Sequence, residues 1–448
     1  MGKYFGTDGF RGEAGVTLTA THAYRIGRFL GASGAGRRLR VAVGKDTRLS
    51  CYMLEYALIA GLTASGADAY VLHVTTTPNL CYTVAAEGFD LGVMITASHN
   101  PYQDNGIKLI GPDGAKADDA LTDEIERYLD GAPHLTLPFA TGSEIGRVYD
   151  HGAARERYLS YLISQAGVRL DGLRVGLDAA NGAASALAPA LFAALGADVY
   201  PIHTKPDGTN INRGAGALHI EALTEHVHAH SLDVGFAFDG DADRCIAVTA
   251  EGAVLNGDHM LYILANDLKA RGKLKRDTVV VTVMSNFGLT RALQAMGGTT
   301  VESAVGDRFV TEKMREGDFS LGGEQAGHII FADHVTGDGF LTALRLLAAA
   351  ARAGKSLAAL ASALTLLPQH TCNLRVKDKR AVSSNAAVQA AVTEVREMLG
   401  NTGRVILRES GTEPVIRVMV EAAEDSLCQS LTEKIAAVIG AEGFLQEK

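Results

Sequence analysis

The sequence has no run of lysines and arginines, no long apolar stretch, few prolines and no paired-cysteine motif. Each absence narrows what the chain can be. With 51 acidic against 42 basic side chains and a net charge of −9, it carries no electrostatic footprint for nucleic acid. No stretch has the length and apolarity of a bilayer span; the alanine-rich 341–353 segment is interrupted by Arg345 and Arg352 and reads as a packed helix. The five cysteines (Cys51, Cys81, Cys245, Cys372, Cys428) are odd in number and scattered, with no C-x-x-C. That argues against a disulfide framework or a zinc site and for a reduced, cytoplasmic setting. The first residues show no charged-then-apolar leader, which fits the same expectation. Ten prolines against 50 glycines suit many tight loops between strands and helices.

What is present is an ordinary globular composition, 47% hydrophobic and 21% charged. A chain of 448 residues is too long for one core, and length alone suggests about three domains. Strand and helix patterns alternate along it. Strands are expected over 39–44, 69–74 and 91–95, with helices over 52–65 and 118–129 and a helix start at Thr77-Pro78, Thr77 reading as its cap. The polar stretch 133–150 is taken as a first boundary. The pattern then restarts with strand 173–178, helix 184–195 and strand 233–238, and again with helix 258–271, strand 278–283 and helix 289–296. Such alternation predicts parallel sheets. Beyond Pro368 the pattern changes to a strand (372–376), a helix (385–399), two close strands (404–408, 415–421) and a last helix (426–439). The fold class expected is therefore three similar α/β units followed by an α+β unit with an antiparallel pair. No short repeat or low-complexity segment is visible.

Two segments carry chemistry. Ser98 follows the apolar run 91–95 and opens Ser98-His99-Asn100-Pro101, with Gly106 and Lys108 beyond a turn at Asn105-Gly106. A hydroxyl raised on a turn at a strand's carboxyl end is where α/β proteins place a nucleophile. An isolated serine there can equally be a cap or a turn residue. His99 beside it invites a serine-hydrolase reading, but adjacent residues rarely face each other and there is no G-x-S-x-G. Lys108 can fold back as a charge stabiliser or a proton shuttle. The second segment is Asp239-Gly240-Asp241-Ala242-Asp243-Arg244, directly after a strand. Alternate aspartates in a curled loop converge on one ion, and hard oxygen ligands suit Mg²⁺. The alternatives are a solvated acidic turn or a calcium loop. The second fails because Cys245-Ile246-Ala247-Val248 is apolar and no glutamate closes the loop.

Three further loops collect polar groups near turns. Arg408-Glu409-Ser410-Gly411-Thr412-Glu413-Pro414, with Arg417 beyond, can hold a phosphate dianion by backbone N–H and forked guanidinium, or can be a plain hairpin turn. Gly6-Thr7-Asp8-Gly9-Phe10-Arg11-Gly12 is either N-terminal coil or a backbone that approaches a ligand. Gly322-Gly323-Glu324-Gln325-Ala326-Gly327-His328 combines a carboxylate, an amide and an imidazole, a mix suited to sugar hydroxyls or to an ordinary capped turn.

In this order and at these distances the loops T-A-S-H-N-P, D-G-D-A-D-R, G-E-Q-x-G-H and R-E-S-G-T-E-P resemble the α-D-phosphohexomutase superfamily over essentially the whole chain. Within it, the 6–12 loop, Val305-Gly306-Asp307-Arg308-Phe309-Val310 and Gln325 are most similar to the bacterial phosphoglucosamine mutases. The resemblance implies a four-domain, heart-shaped molecule around a central cleft: 1–150 with a phosphoserine loop, 151–253 with a metal-binding loop, 254–367 with a sugar-binding loop and 368–448 with a phosphate-binding loop. It implies that Ser98 is the phosphoserine and lies with Asp239, Asp241 and Asp243 around one Mg²⁺ per chain. Arg11, Lys108 and Arg244 then surround the transferring phosphate. Thr7, His99, Asn100, Asp307, Arg308, Glu324, His328, Arg408, Ser410, Gly411, Thr412 and Arg417 bind the substrate. One departure is Ala326, where the family usually has serine, which removes a hydroxyl near the sugar.

The activity implied is interconversion of glucosamine 6-phosphate and glucosamine 1-phosphate through glucosamine 1,6-bisphosphate, on the route to UDP-N-acetylglucosamine. The partner is a small hexosamine phosphate, with no nucleic acid and no membrane; a homodimer is left open. Three readings compete: a phosphomannomutase/phosphoglucomutase of the same superfamily, a metallophosphatase that hydrolyses the phosphoserine, and a catalytically idle sugar-phosphate binder. The last has no use for Ser98, three aspartates and Lys108 together.

Overall fold

The computed structural model describes residues 2–6, 8–34, 36–131, 137–410 and 414–446. The chain forms two compact units, Met1–Met284 with Gly298–Ser362, and Ser285–Gly297 with Ala363–Lys448.

The larger unit holds three sheets of one design, each with parallel inner strands and antiparallel additions at an edge. In the first, seven strands run in the order Phe5–Gly6, Gly9–Glu13, Asp104–Ile110, Leu91–Ile95, Arg40–Lys45, Asp68–Val74, Val148–Asp150. Arg40–Lys45 is parallel to both Leu91–Ile95 and Asp68–Val74. The second sheet has the order Val254–Leu255, Cys245–Thr249, Val234–Phe238, Arg174–Asp178, Asp198–Ile202, its last three strands parallel. The third has Thr299–Ser303, Thr278–Thr282, Leu321–Gly323 and Ile329–Phe331, the first three parallel. Parallel strands gather their carboxyl ends on one edge, and the crevice outside that edge is where such sheets bind ligands. Asp46, Thr96–Ser98, Asp239–Asp243 and Glu324 all follow directly on such ends.

Two expectations are corrected here. The 104–110 segment is a strand, not a turn. It pairs antiparallel with Leu91–Ile95, placing Met94 opposite Lys108, so Lys108 projects from a rigid ladder. The cap of the helix Thr77–Glu87 is Thr76, whose hydroxyl accepts from Asn79 N at 3.2 Å. That leaves the Thr77 hydroxyl for another partner, described below.

The helices Ala20–Ala32 and Cys51–Ala64 cover one face of the first sheet, with Ile26, Leu30, Leu54, Leu58 and Leu62 in its core. They cross closely because Gly27 and Gly61 lack side chains. A Cβ on Gly61 would lie 2.1 Å from Tyr24 O, and one on Gly27 2.2 Å from Leu58 O. Backbone on both sides leaves nothing flexible to yield.

The smaller unit is a three-stranded antiparallel sheet, Gln369–Arg375, Val415–Glu421, Arg404–Glu409, backed by the helices Ala386–Leu399 and Asp425–Ala441. Val395, Ile416, Val418 and Ile435 form its core. Phe287–Ala295 belongs to this unit. Buried Glu421 accepts from Phe287 N at 3.0 Å and from Arg404 Nε at 2.6 Å, tying that helix to the sheet.

The close helix crossing yields a test. Gly61→Ala is expected to destabilise the protein by about 1–3 kcal/mol, the usual cost of forcing an added methyl into a packed interface. A melting temperature for Gly61→Ala equal to wild type would refute the close-crossing account.

Candidate active site

Ser98 sits just past the carboxyl end of Leu91–Ile95 and is 1% exposed. Its backbone is left-handed, with φ 50°. This conformation costs a serine about 1–3 kcal/mol and persists only where the surroundings enforce it. It turns the hydroxyl toward the second sheet's loop, where Ser98 Oγ donates to Asp239 Oδ2 at 2.6 Å. The same turn brings His99 Nδ1 within 3.3 Å of Ser98 Oγ. The expectation that neighbours in sequence do not face each other fails here, because a left-handed residue folds the chain back on itself. Burial, with Arg244 and Arg11 nearby, lowers the His99 pKa to about 4, so its ring is neutral at pH 7.

Asp239, Asp241 and Asp243 are buried, and each offers one carboxylate oxygen within 4.8 Å of the others. Asp241 Oδ1 and Asp243 Oδ1 have no hydrogen-bond partner. Burial, then the charges of Asp243 and Asp241, push the pKa of Asp239 well above the ordinary carboxylate range. Carboxylate oxygens without hydrogen bonds, converging on one point, with the pKa of one acid pushed up by burial and by its neighbours, make a donor set that fits a hard dication such as Mg²⁺.

Cations from the first sheet face these acids. Lys108 Nζ lies 2.9 Å from Asp241 Oδ2, 3.4 Å from Asp243 Oδ2 and 3.3 Å from Asp8 Oδ2. Burial alone would lower the pKa of Lys108, but these three carboxylates outweigh it and hold it well above the usual lysine value. Lys108 is thus held as an ammonium among these carboxylates. For Asp243 the balance runs the other way: burial raises its pKa, yet Lys108, His328 and Arg244 keep it well below the ordinary range. His328 Nδ1 stands 3.6 Å from Asp243 Oδ1, and its Nε2 3.9 Å from Asp307 Oδ2. Against the lowering effect of burial, these acids raise the His328 pKa to about 9. Arg11 pairs with Asp8, and Arg244 N donates to Asp239 Oδ1 at 3.2 Å. Glu324 Oε1 accepts from Gly306 N at 3.0 Å, which fixes the turn before Asp307.

Ser98, Lys108, Arg11, Arg244, His99, Asp307, Glu324, His328 and the three aspartates are therefore linked through one set of contacts. Two other residues are turned elsewhere. Asn100 Nδ2 donates to Asp104 Oδ2 at 2.9 Å and closes its own loop. Arg308 pairs with Asp119 and, at 2.8 Å, with Glu312 on the surface. Thr7, Gly411 and Thr412 lie outside the described residues. Several contributors escape a reading of the sequence. Thr77 Oγ1 donates to Asp241 Oδ2 at 2.6 Å. Lys116 Nζ bridges Asp8 Oδ1 and Asp307 Oδ1, both at 2.7 Å. Lys116 has no local signal, whereas Asp46-Thr47-Arg48, taken up below, follows a buried strand as Ser98 does and was open to the same logic.

The smaller unit carries its own polar cluster. Arg408 and Arg417 are directly opposite in adjacent strands. Burial and the charge of Arg417 lower the pKa of Arg408, and Arg417 Nε is buried without a partner. Ser410 N bonds Val415 O at 2.8 Å, and Lys379 Nζ donates to Ser410 O at 2.6 Å. Like charges directly opposite destabilise a sheet. Arg417→Gln is accordingly expected to stabilise the protein by about 0.2–1 kcal/mol in phosphate-free buffer. Thermal melts with and without phosphate check this, and a loss of stability on substitution in the phosphate-free melt would contradict it.

The phosphoglucomutase/phosphomannomutase family matches the chain in four consecutive parts: alpha/beta/alpha domain I over residues 2–134, domain II over 156–252, domain III over 256–366 and the C-terminal domain over 372–438. A phosphoglucosamine mutase of Lachnospira eligens is 51% identical over 449 residues, covering 99% of this chain and 100% of that protein. A solved phosphoglucomutase/phosphomannomutase family protein from Burkholderia thailandensis superposes with a TM-score of 0.82 at 27% identity, over 99% of this chain and 98% of that one. The N-acetylphosphoglucosamine mutase of Aspergillus fumigatus, solved in complex with GlcNAc-6P and magnesium, shares the fold with a TM-score of 0.70 at 18% identity, over 98% and 96% of the two chains. With its full length matched at half identity, and with a buried serine facing three convergent aspartates, the chain belongs to the phosphoglucosamine mutase family of phosphohexomutases.

Proposed function

We propose that Ser98 is the phosphoryl relay in the interconversion of glucosamine 6-phosphate and glucosamine 1-phosphate. The observation that carries this is the buried Ser98 hydroxyl, held in a left-handed turn 2.6 Å from one of three convergent aspartates. Phosphoserine 98 passes its phosphoryl group to the anomeric oxygen of glucosamine 6-phosphate. The P–Oγ bond breaks, the P–O1 bond forms, and the proton lost from O1 ends on Ser98 Oγ. The resulting glucosamine 1,6-bisphosphate reorients and returns its 6-phosphoryl group to Oγ, which leaves glucosamine 1-phosphate and restores the phosphoserine. The transition state is loose, so positioning and neutralisation dominate.

Asp239, Asp241, Asp243 and the Ser98 oxygen would hold one Mg²⁺, which supplies positive charge where the phosphoryl group transfers. Lys108, Arg11 and Arg244 add fixed cationic charge around the same point. Asp307, Glu324 and His328 read the sugar hydroxyls and amine, with Thr7, His99, Asn100 and Arg308 completing the substrate contacts. Arg408, Ser410 and Arg417, together with Gly411 and Thr412, anchor the phosphate that does not react. The four functional parts run 1–150, 151–253, 254–367 and 368–448. The product enters the cytoplasmic route to UDP-N-acetylglucosamine.

Ser98→Ala is expected to abolish turnover while leaving the fold unchanged, and the purified native protein should carry one extra phosphoryl group mapped to Ser98. Steady-state assays with the 1,6-bisphosphate present and intact mass measurement check both. Substantial turnover in clean Ser98→Ala protein would sink the relay.

The division between anchoring and chemistry gives a second test. Contacts to the distal phosphate are made alike in ground and transition states, so their loss appears in KM. Removing a forked, charge-assisted contact costs roughly 1.5–3 kcal/mol, about a tenfold to hundredfold rise in KM. Arg417→Ala should show that rise with a smaller fall in kcat. Asp241→Asn should lower kcat by several orders of magnitude, and EDTA should silence the native enzyme until Mg²⁺ is returned. An unchanged KM with a collapsed kcat in Arg417→Ala would place that loop in the chemistry instead.

A further inference from the structure

The left-handed backbone at Ser98 needs an enforcer, and the structure supplies one in residues outside the reacting set. Arg48 is fully buried at the carboxyl end of Arg40–Lys45. Its guanidinium reaches four backbone carbonyls of the serine loop. One terminal nitrogen donates to Ser98 O and Asn100 O, both at 2.9 Å, and the other to Pro101 O at 2.5 Å and Asp104 O at 2.9 Å. Its Nε pairs with Asp46 Oδ2 at 2.9 Å.

That carboxylate closes a circuit. Thr96 Oγ1 donates to Asp46 Oδ2 at 2.7 Å and accepts from Ser98 N at 2.9 Å. Ser98 is thus held through both its N–H and its carbonyl by one connected set of buried groups, Thr96–Asp46–Arg48. Every donor of the Arg48 head is used, and the charge is matched by one carboxylate.

A second grip comes from the part of the chain that carries the aspartates. Asn212 is 8% exposed, has φ 58°, and its Nδ2 donates to the same two carbonyls, Ser98 O at 2.8 Å and Asn100 O at 3.0 Å. Gly240 lies against the same place, where a Cβ would come 2.5 Å from Ser98 O. Two donors from separate sequence regions therefore converge on the backbone of one strained residue and dock it against the aspartate loop.

We propose that Arg48 and Asn212 are positioning residues for the phosphoryl relay: they clamp the carbonyls of Ser98 and Asn100 and so keep the Ser98 hydroxyl aimed at Asp239, Asp241 and Asp243. The proposal rests on the reading of Ser98 as the relay. Neither side chain touches the reacting atoms. Each acts through the backbone of Ser98, and small displacements of a reacting group cost rate far more than binding.

Asn212 is the sharper probe, because its left-handed backbone suits asparagine, aspartate and glycine. Asn212→Asp keeps the shape and turns a donor of two hydrogen bonds into an anion facing two carbonyls. Asn212→Gly deletes the donor and keeps the backbone. We expect kcat to fall about a hundredfold in Asn212→Asp and about tenfold in Asn212→Gly, with KM for glucosamine 6-phosphate within threefold of wild type in both. Single-turnover transfer from protein phosphorylated with the 1,6-bisphosphate should slow by the same factors, since the defect lies in the transfer step. Arg48→Lys, which retains the charge beside Asp46 but cannot span four carbonyls, should behave like Asn212→Asp. If it fails to fold, as its burial allows, the two Asn212 variants decide alone. Folded Asn212 variants with kcat within twofold of wild type overturn the proposal, as does a KM that rises in step with any loss of kcat. Ser98→Ala assayed in parallel separates the failures: turnover retained there refutes the relay, while turnover lost there and kept in the Asn212 variants refutes only the clamp.

Discussion

Three carboxylates buried side by side are the constraint on which the larger unit's design depends. Asp239, Asp241 and Asp243 cannot all be charged and dry without compensation. The structure answers from three directions. Lys108 enters from the first sheet, His328 from the third, and Asp239 itself shifts toward neutrality. Each of these groups then acquires its own neighbours, Asp8 and Lys116 around Lys108 and Asp307 beyond His328. The result is an alternating network of charges that links all three sheets of the unit. The network joins the strand ends of the three sheets.

The geometry follows from topology. Parallel strands deliver their carboxyl ends to one edge, and the loops there are free of the ladder and able to adopt unusual backbone. Ser98 and Ala242 both have positive φ, and both lie in these loops. The antiparallel return strand Asp104–Ile110 contributes differently. It carries Lys108 on a rigid ladder and aims it at a loop of another sheet. A flexible lysine on a turn would lose rotamer entropy on being fixed there; a lysine on a central strand, with its stem buried, has already lost it in folding.

Much of this was legible in the sequence. The order of strands and helices, the change of character after Pro368 and the convergence of the alternate aspartates follow from periodicity and spacing. The serine loop and the aspartate loop are contiguous, so their composition speaks for them. What stayed hidden depends on distance. Lys116 reaches Asp307 across 191 residues, and Thr77 reaches Asp241 across 164. No window of sequence contains both partners. The strand at 104–110 was hidden for another reason: Asn105-Gly106 is a strong turn signal, overridden here because Gly106 must let the backbone at Thr96 O come close, where a Cβ would sit 2.4 Å away. The contact between His99 and Ser98 has no sequence signal because the rule for neighbouring side chains assumes ordinary backbone, and Ser98 does not have it.

The two polar clusters share one logic with opposite sign. The aspartate trio gathers three carboxylates at one point, and the Oδ1 atoms of Asp241 and Asp243 are buried there without a hydrogen bond. Arg408 and Arg417 face each other across two strands, with the buried Nε of Arg417 lacking a partner. Both arrangements gather like charges, which repel one another in the folded state. A protein keeps such clusters where a ligand of opposite charge completes them, and the cost to stability is then recovered on binding. Charge left uncovered in a folded cluster is what a ligand of opposite sign neutralises. The aspartate trio calls for a cation and the arginine pair for an anion, each from the charge of its own side chains.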